Sequence, residues 1–226
     1  MTANNEVLRR LFTIAHDTAV RLGYQFEIDW YERVNPAALT EQQFLREAAW
    51  VVLSSGFRES VVRRHFPYLS ICFHDWESAA LIIEDAKTCI GLARLRFCNE
   101  RKLKAIVSIA KILATHGYSE FKKNLNCSPL AALEELPFIG PVTSLHLAKN
   151  LGFQVAKPDR HLQRLASNFG YEDVHRFCSD ISQITMKSVA VVDTVLWRFC
   201  VLGGFRMING DHIRGQSELT PVVRTL

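Results

Sequence analysis

Apolar residues recur at helical spacing along nearly the whole chain, and this pattern constrains the fold more than any other feature. The first segment shows it clearly, with one apolar face made of Leu8, Leu11, Phe12, Ala15, Ala19 and Leu22. Side chains three or four positions apart share a helix face, whereas alternating polarity would indicate a strand. Residues 26–30 are the best strand candidate, and a weak one. We therefore expect an all-α protein.

Capping and breaking residues divide this pattern into separate helices. Thr40 with Gln43 is a capping-box signature at the start of an apolar helix. We expect a short helix at 59–65 to end before Pro67, because a residue that precedes proline disfavours helical geometry. We also expect Asp75 to cap a helix at 76–83, and Asn99 to cap a helix that Gly117 ends. Ser128 is an N-cap followed by proline at the first helical position, and the last helix is expected over 186–202.

Composition narrows the class of protein. Of the 226 residues 48% are hydrophobic and 22% are charged, which excludes intrinsic disorder. The longest stretch without Asp, Glu, Lys or Arg, residues 136–148, is shorter than the roughly 20 apolar residues of a membrane span. The start of the chain, MTANNEVLRR, lacks an apolar signal core. We expect no membrane partner, and a single domain over 1–226 with a loose tail at about 211–226.

The cysteines are widely spaced. None of the six forms a CxxC pair, so the sequence predicts neither a zinc site nor an iron–sulfur cluster. We expect them to be buried, reduced thiols.

The most informative segment is 133–165, LEELPFIGPVTSLHLAKNLGFQVAKPDRHLQRL. Two short helices flank a tight turn, and the second begins at Pro141. The amides around Gly140, Val142 and Thr143 then lack partners within the helix and form a positive end that suits a phosphate oxygen. An ordinary αα-hairpin without ligand is the alternative interpretation.

Asp159 lies further along the same segment, directly after Lys157 and Pro158. Aspartate is a favoured N-cap, so capping alone can explain it. A capping carboxylate is also fixed and charged. Such a group can stabilise a nearby cation and orient a water, as the oxocarbenium-like state of N-glycosidic bond cleavage requires.

Together, LPFIG, 18 further residues and then DRHLQRL resemble the helix-hairpin-helix (HhH-GPD) DNA glycosylase superfamily. That family has a Leu-Pro-Gly-x-Gly hairpin followed about 20 residues later by an Asp. Asp159, His161 and Arg164 fit its Asp-x-His pattern with an Arg three residues on. Residues 48–64 are similar to its early helix-turn-helix, and 91–117 to the helix ahead of its hairpin. The resemblance covers about 40–200.

The resemblance implies a two-lobed helical glycosylase fold with a helix-hairpin-helix at about 129–152. It also implies that an altered base flips out of the duplex into a pocket between the lobes. Asp159 would then stabilise charge on the sugar and align a water. The expected partner is double-stranded DNA with an altered base, bound by a monomer. The expected location is the cytoplasm at a prokaryotic nucleoid, or a eukaryotic nucleus.

Several positions depart from the family pattern. Phe138 replaces the first hairpin Gly and can pack in the core instead. Val142 stands where bifunctional members carry a nucleophilic lysine, and a Schiff base needs an amine. The resemblance thus implies hydrolysis by water without lyase activity, with Lys157 as an alternative nucleophile. No cofactor is expected beyond a monovalent cation that can bridge such hairpins to phosphate, and the family's iron–sulfur loop is missing.

Two groups of basic residues, one at 93–104 and one at 58–64, can neutralise phosphates or simply form solvated helix faces. The loop at Phe57 and Arg58 can insert into the gap left by a flipped base, or Phe57 can be buried. The predicted DNA contacts are Gly140, Val142, Thr143, Phe57, Arg58, Arg101, Lys102, Arg160 and His161. The predicted pocket residues are Trp50, Trp197 and Asp193, although aromatic residues at helical spacing more often belong to a core.

The sequence therefore predicts a monofunctional DNA glycosylase that leaves an abasic site. The alternative is a catalytically inactive protein of the same fold that recognises damaged or modified DNA. A third interpretation, a helical protein-interaction domain, would make the hairpin and Asp159 spacing accidental. The excised base, and repair as opposed to defence against modified foreign DNA, stay open at this point.

Overall fold

A computed structural model describes residues 3–204, in which thirteen α-helices and two single-turn 3₁₀ helices form and no strand does. The predicted all-α class is confirmed. The tail predicted to be loose, 211–226, lies outside the described residues. The helices are α1 Ala3–Arg21, α2 Gln25–Arg33, α3 Glu41–Ser54, α4 Glu59–Cys72, α5 Ala79–Glu84, α6 Ala86–Arg94, α7 Glu100–His116, α8 Tyr118–Cys127, α9 Pro129–Glu134, α10 Pro141–Asn150, α11 Arg160–Asn168, α12 Val174–Thr185 and α13 Val189–Val201.

The helices fall into two compact units. Among the described residues, the terminal unit consists of 3–33 together with 156–204, and contains α1, α2 and α11 to α13. Its core is built around α13, whose buried Val195 and Phe199 belong to one apolar cluster with Leu11 of α1 and Phe177 of α12.

The central unit, Val34–Val155, contains α3 to α10. The faces of α3 and α7 supply much of its core, including Phe44, Val52, Leu103 and Leu113. Leu147 of α10 belongs to the same cluster, so the second hairpin helix is anchored by apolar burial. Within the range that the structure describes, no helix is long and apolar enough to cross a membrane.

The strand candidate at 26–30 was wrong, because these residues belong to α2. Ile28 is buried while Phe26 and Trp30 on either side are exposed. The side chain of Gln25 donates to Asp29 Oδ1 at 2.6 Å, an i,i+4 contact that only a helix makes.

The predictions at Pro67 and Asp75 were also wrong. α4 continues through Pro67 to Cys72, because the buried face of Val62, Phe66 and Leu69 keeps its helical spacing across the proline. The capping residue of α5 is Ser78, whose hydroxyl accepts from the Leu81 N–H at 3.3 Å.

Two smaller corrections concern the last helix and the cysteines. α13 begins at Val189 under a Ser188 cap, and Met186 lies outside it with a positive φ of 58°. Cys72, Cys89, Cys178 and Cys200 are buried as expected, whereas Cys98 and Cys127 are exposed.

Candidate functional site

The turn between α9 and α10 is a tight hairpin in the central unit. Its backbone is closed by hydrogen bonds from Leu136 N–H to Leu133 C=O and from Ile139 N–H to Leu136 C=O, both 3.1 Å. The buried Ser144 hydroxyl lies 2.9 Å from Glu134 Oε1 and ties the start of α10 to the end of α9. The predicted helix-hairpin-helix at 129–152 is therefore present, with α9 and α10 joined by these hydrogen bonds.

The amide of Gly140 differs from the sequence expectation. It donates to Thr143 Oγ1 at 2.7 Å, so it is not free to bind a phosphate. The first main-chain bond within α10 runs from Ser144 N–H to Gly140 C=O at 2.8 Å. The amides of Val142 and Thr143 precede that bond, as the first amides of any helix do, and are the ones positioned to bind an anion.

Phe138 and Val142 are both exposed on this hairpin. The side chain of Phe138 is 42% exposed, which overturns the alternative that it packs in the core. Its backbone has φ of +68°, in the left-handed region that favours glycine. Val142 is 55% exposed at the first turn of α10.

The loop between α3 and α4 is stabilised by hydrogen bonds from the buried Lys102 side chain. The Lys102 side chain is only 4% exposed, and its ammonium donates to the carbonyl oxygens of Val52 at 2.6 Å, Leu53 at 2.9 Å and Ser55. Burial lowers the pKa of Lys102 to about 8. The three donors of the ammonium are thus used at the carboxyl end of α3, and the prediction of a DNA contact at Lys102 was wrong.

Phe57 and Arg58 are exposed at the tip of this loop, so the alternative in which Phe57 is buried was wrong, while insertion of the loop into DNA stays a prediction. The Phe57 ring lies 5.2 Å from that of Phe97 and 4.8 Å from the Lys102 ammonium. An open groove of about 570 Å³ is lined by Phe57 together with Arg96 and Arg101.

The basic residues of the central unit differ in what they contact. Arg94 and Lys104 pair with Glu100 at 3.0 and 2.8 Å, so part of their charge is neutralised within α6 and α7. Arg63 pairs with Glu59 one turn earlier. Arg101 is exposed and its guanidinium lies 5.8 Å from the Phe138 ring centroid, which places a cation beside the hairpin.

Asp159 caps α11 in the terminal unit, as predicted. Its Oδ1 accepts from the N–H groups of His161 and Leu162, each at 2.9 Å. Among residues 3–204, none donates a hydrogen bond to Oδ2 of this carboxylate, and the side chain is half-buried. One oxygen therefore fixes the group, while the other accepts no hydrogen bond from the part of the chain that the structure describes. Arg160 is exposed beside it and His161 is half-buried.

Two further residues surround the start of α11. The Cys200 thiol is buried, and burial together with the nearby Asp159 carboxylate raises its pKa to about 12. Asp193 is 1% exposed, and its Oδ2 accepts from the Lys157 backbone N–H at 2.7 Å. Asp193 thus binds the turn that carries Asp159. Sequence reasoning named it only as a pocket residue, which stays a prediction.

The other two pocket candidates pack locally. Trp50 is half-buried, edge-on to Phe66 at 5.1 Å and beneath the Arg63 guanidinium at 5.6 Å. Trp197 is half-buried with the Arg198 guanidinium 4.7 Å from its ring centroid. These contacts account for both rings within their own units, and a role for either in a pocket stays a prediction.

No protein-family model and no curated protein sequence matches the chain. Solved structures do. The 8-oxoguanine DNA glycosylase of Thermotoga maritima superposes with a TM-score of 0.59 at 20% identity, over 88% of this chain and 98% of that one. The Methanocaldococcus jannaschii 8-oxoguanine DNA glycosylase superposes with a TM-score of 0.57 at 14% identity, over 88% of this chain and 94% of that one. The Methanocaldococcus jannaschii 8-oxoguanine glycosylase/lyase, in complex with 15mer DNA containing 8-oxoguanine, superposes with a TM-score of 0.56 at 15% identity, over 84% of this chain and 96% of that one.

This chain has the fold of these DNA glycosylases. The two-lobed helical fold with a helix-hairpin-helix motif, expected from the resemblance, is confirmed at this level. Because one fold can carry different functions, the chemistry has to be argued from the site residues.

Proposed function

We propose that this protein is a monofunctional DNA glycosylase, which hydrolyses the N-glycosidic bond of an altered base in duplex DNA and leaves an abasic site. The observation that carries the proposal is the Asp159 carboxylate. One of its oxygens is fixed by two amides, and none of residues 3–204 donates a hydrogen bond to the other, in a chain with the fold of DNA glycosylases.

The proposed reaction needs one negative charge and one water. As the bond between C1′ and the base breaks, the base leaves with the electron pair and takes up a proton. Positive charge develops on the sugar, where the Asp159 carboxylate stabilises it. A water oriented by the same carboxylate adds to C1′ and loses a proton. A base inside the duplex is out of reach, so the target nucleotide first has to flip out.

The absence of lyase activity is part of the proposal. A lyase of this kind forms a Schiff base between an amine and C1′. Val142 occupies the position of the lysine that bifunctional members of the resembled family carry, and its apolar side chain cannot form that bond. Lys157 is the alternative amine, two residues before Asp159.

An oxidised purine is the first candidate substrate. The three structural neighbours described above are 8-oxoguanine DNA glycosylases, and one of them is bound to DNA that contains this base. The likeness concerns the fold, so 8-oxoguanine heads a panel that also contains alkylated, deaminated and bulky modified bases.

The proposed partner is double-stranded DNA, which the protein binds as a monomer. The proposed location is the prokaryotic nucleoid or the eukaryotic nucleus. The amides of Val142 and Thr143 would bind a phosphate, with Arg58, Arg101 and Arg160 as exposed cations. We propose that Phe57 inserts as a wedge into the gap left by the flipped base and that His161 contacts a phosphate.

A monovalent cation at the hairpin fits the residues only in part. Backbone carbonyls would supply its ligands, and that of Gly140 already accepts from Thr143 Oγ1 at 3.1 Å and Ser144 N–H at 2.8 Å. No step above depends on the ion. Replacing potassium by lithium in a DNA-binding titration tests the idea.

The deciding experiment compares Asp159→Asn with Asp173→Asn. Asparagine caps helices as well as aspartate does, so both variants should fold. Asp173 is the matched control, because it caps α12 and accepts from His175 N–H at 2.8 Å in the same Asp-x-His arrangement. Each protein is incubated with the duplex panel, and alkali-labile sites are measured.

We expect the wild type and Asp173→Asn to release one of the bases at equal rates. Asp159→Asn should bind the same duplex and lose at least about 100-fold in rate, the scale of a lost electrostatic contact to a transition state. Binding without release by the wild type would instead support the inactive DNA-binding protein. Equal release by the two variants would reject the role of Asp159.

A further inference from the structure

Phe138 is a strained residue without the burial that usually accompanies strain. Its φ of +68° is in the region where a side chain clashes with the backbone, and an aromatic residue there is a rare outlier. Such conformations persist where the surrounding structure enforces them, often at functional positions. The ring is 42% exposed on the hairpin, so it gains little from the core.

The neighbour of this ring is a cation. Arg101, in the first turn of α7, holds its guanidinium 5.8 Å from the Phe138 centroid. Arg101 also lines the groove of about 570 Å³ together with Phe57, which is itself an exposed aromatic residue. In the central unit, Arg101 is therefore shared by two features that each carry an exposed ring, the hairpin and the groove.

This combination suits a nucleotide strand. An aromatic face stacks on bases or packs on deoxyribose regardless of sequence, while a guanidinium binds phosphate through two parallel hydrogen bonds. Both side chains are exposed, and their contact with each other leaves ring surface and guanidinium N–H groups accessible.

We propose that Phe138 is a DNA-contacting residue, whose ring packs on the apolar face of the nucleotide next to the phosphate that Arg101 binds. The inference rests on the proposed function in requiring that the protein bind DNA. It assigns to this chain a contact that a glycine at the same position could not make.

The test uses Phe138→Gly, Phe138→Trp and the control Ile71→Ala, which removes an apolar side chain 70% exposed on α4 of the same unit. Affinity for a duplex with a tetrahydrofuran abasic analogue is measured by fluorescence anisotropy over a range of salt concentrations. Thermal melting is followed by circular dichroism, so that loss of folding is seen separately.

Phe138→Gly should weaken DNA binding at least about five-fold, the lower end of one lost stacking contact. Its melting temperature should not fall, because glycine tolerates the positive φ. Phe138→Trp and Ile71→Ala should bind within two-fold of the wild type. Arg101→Ala should lower the slope of log Kd against log salt by about one, whereas Phe138→Gly should leave this slope unchanged, because it removes no charge.

Wild-type affinity in Phe138→Gly would overturn the inference. So would a weakened Phe138→Gly that also has a reduced salt slope or a lower melting temperature, since that indicates a distorted hairpin. Failure of the two proposals is distinguishable. If base release depends on Asp159 while Phe138→Gly binds normally, only this inference fails. If the wild type binds DNA with the Phe138 effect but releases no base, only the glycosylase proposal fails.

Discussion

The carboxylate of Asp193, buried on α13, accepts a hydrogen bond from the backbone N–H of Lys157 at 2.7 Å, two residues before Asp159. The Asp159 N–H in turn donates to the Lys157 carbonyl at 2.8 Å. The turn that presents the candidate catalytic carboxylate is thus held from the centre of the terminal unit. An intact Asp193 should matter for the position of Asp159 as well as for stability.

Asp193→Ala should lower the free energy of unfolding by about 1–3 kcal/mol, because it removes the acceptor of a half-buried amide. Base release should fall by about ten-fold or more, since small misplacements of a catalytic group are costly. Asp193→Asn keeps an acceptor oxygen and should recover most of the stability. Chemical denaturation and single-turnover assays on both variants measure these effects. Base release at the wild-type rate by Asp193→Ala would show that the turn holds its shape without this bond.

The contrast between Asp159 and Asp193 shows what the sequence could predict. Asp159 caps its own helix through amides two and three residues away, and such local signals are readable, as the Thr40 capping box also is. The acceptor of Lys157 N–H lies 36 residues further along the chain, and the acceptors of Lys102 lie 47 to 50 residues earlier. No local pattern encodes such pairs, so Lys102 was misassigned to the DNA surface.

The expected helix end before Pro67 and the alternative of a buried Phe138 were wrong for a different reason. At Pro67 the apolar face of α4 outweighs the local preference against helix, and tertiary packing decides the length of the element. At Phe138 burial was an alternative interpretation because phenylalanine is apolar, while the hairpin has a positive φ there and leaves the ring exposed. The fold was predictable from motifs and their spacing, but the direction of each side chain was not.

Lys102 gives a prediction about pH. Because burial lowers its pKa to about 8 in the folded chain, from an ordinary value near 10.5, the unfolded chain binds more protons between these two values. The wild type should therefore gain stability relative to Lys102→Met as pH rises above 8, by up to about 1.4 kcal/mol per pH unit. Urea denaturation at intervals from pH 7 to 9.5 measures the difference.

The control for this measurement is Lys104→Met, which removes an exposed lysine from the same helix. Its stability relative to the wild type should not change over that pH range. A parallel pH response of Lys102→Met and the wild type would contradict the assigned burial. At pH 7, Lys102→Met should also loosen the loop at Phe57, which hydrogen–deuterium exchange can detect, because three carbonyl oxygens lose their donor.

Gly152, just after α10, yields a prediction about stability. Its φ is +90°, and a Cβ there would lie 2.9 Å from the Val34 carbonyl oxygen and 3.1 Å from Pro36 Cδ. Gly170 also has a positive φ, of +79°, but none of the described residues comes within 4 Å of a Cβ placed there. Gly170→Ala should cost about 1 kcal/mol for the left-handed backbone alone. Gly152→Ala should cost about 1–3 kcal/mol more, because overpacking adds to that strain. Equal melting temperatures would show that the segment at Val34 moves aside freely.

Val142 allows the proposed absence of lyase activity to be tested in both directions. The position is exposed, so Val142→Lys should fold normally. In the presence of borohydride, the wild type should form no covalent adduct with substrate DNA, whereas Val142→Lys should gain one, because bifunctional members of the resembled family carry their nucleophilic lysine at this position and an amine can form a Schiff base with C1′. Adding Asp159→Asn to Val142→Lys should remove the adduct. A wild-type adduct that disappears in Lys157→Met would identify Lys157 as the nucleophile and the protein as bifunctional.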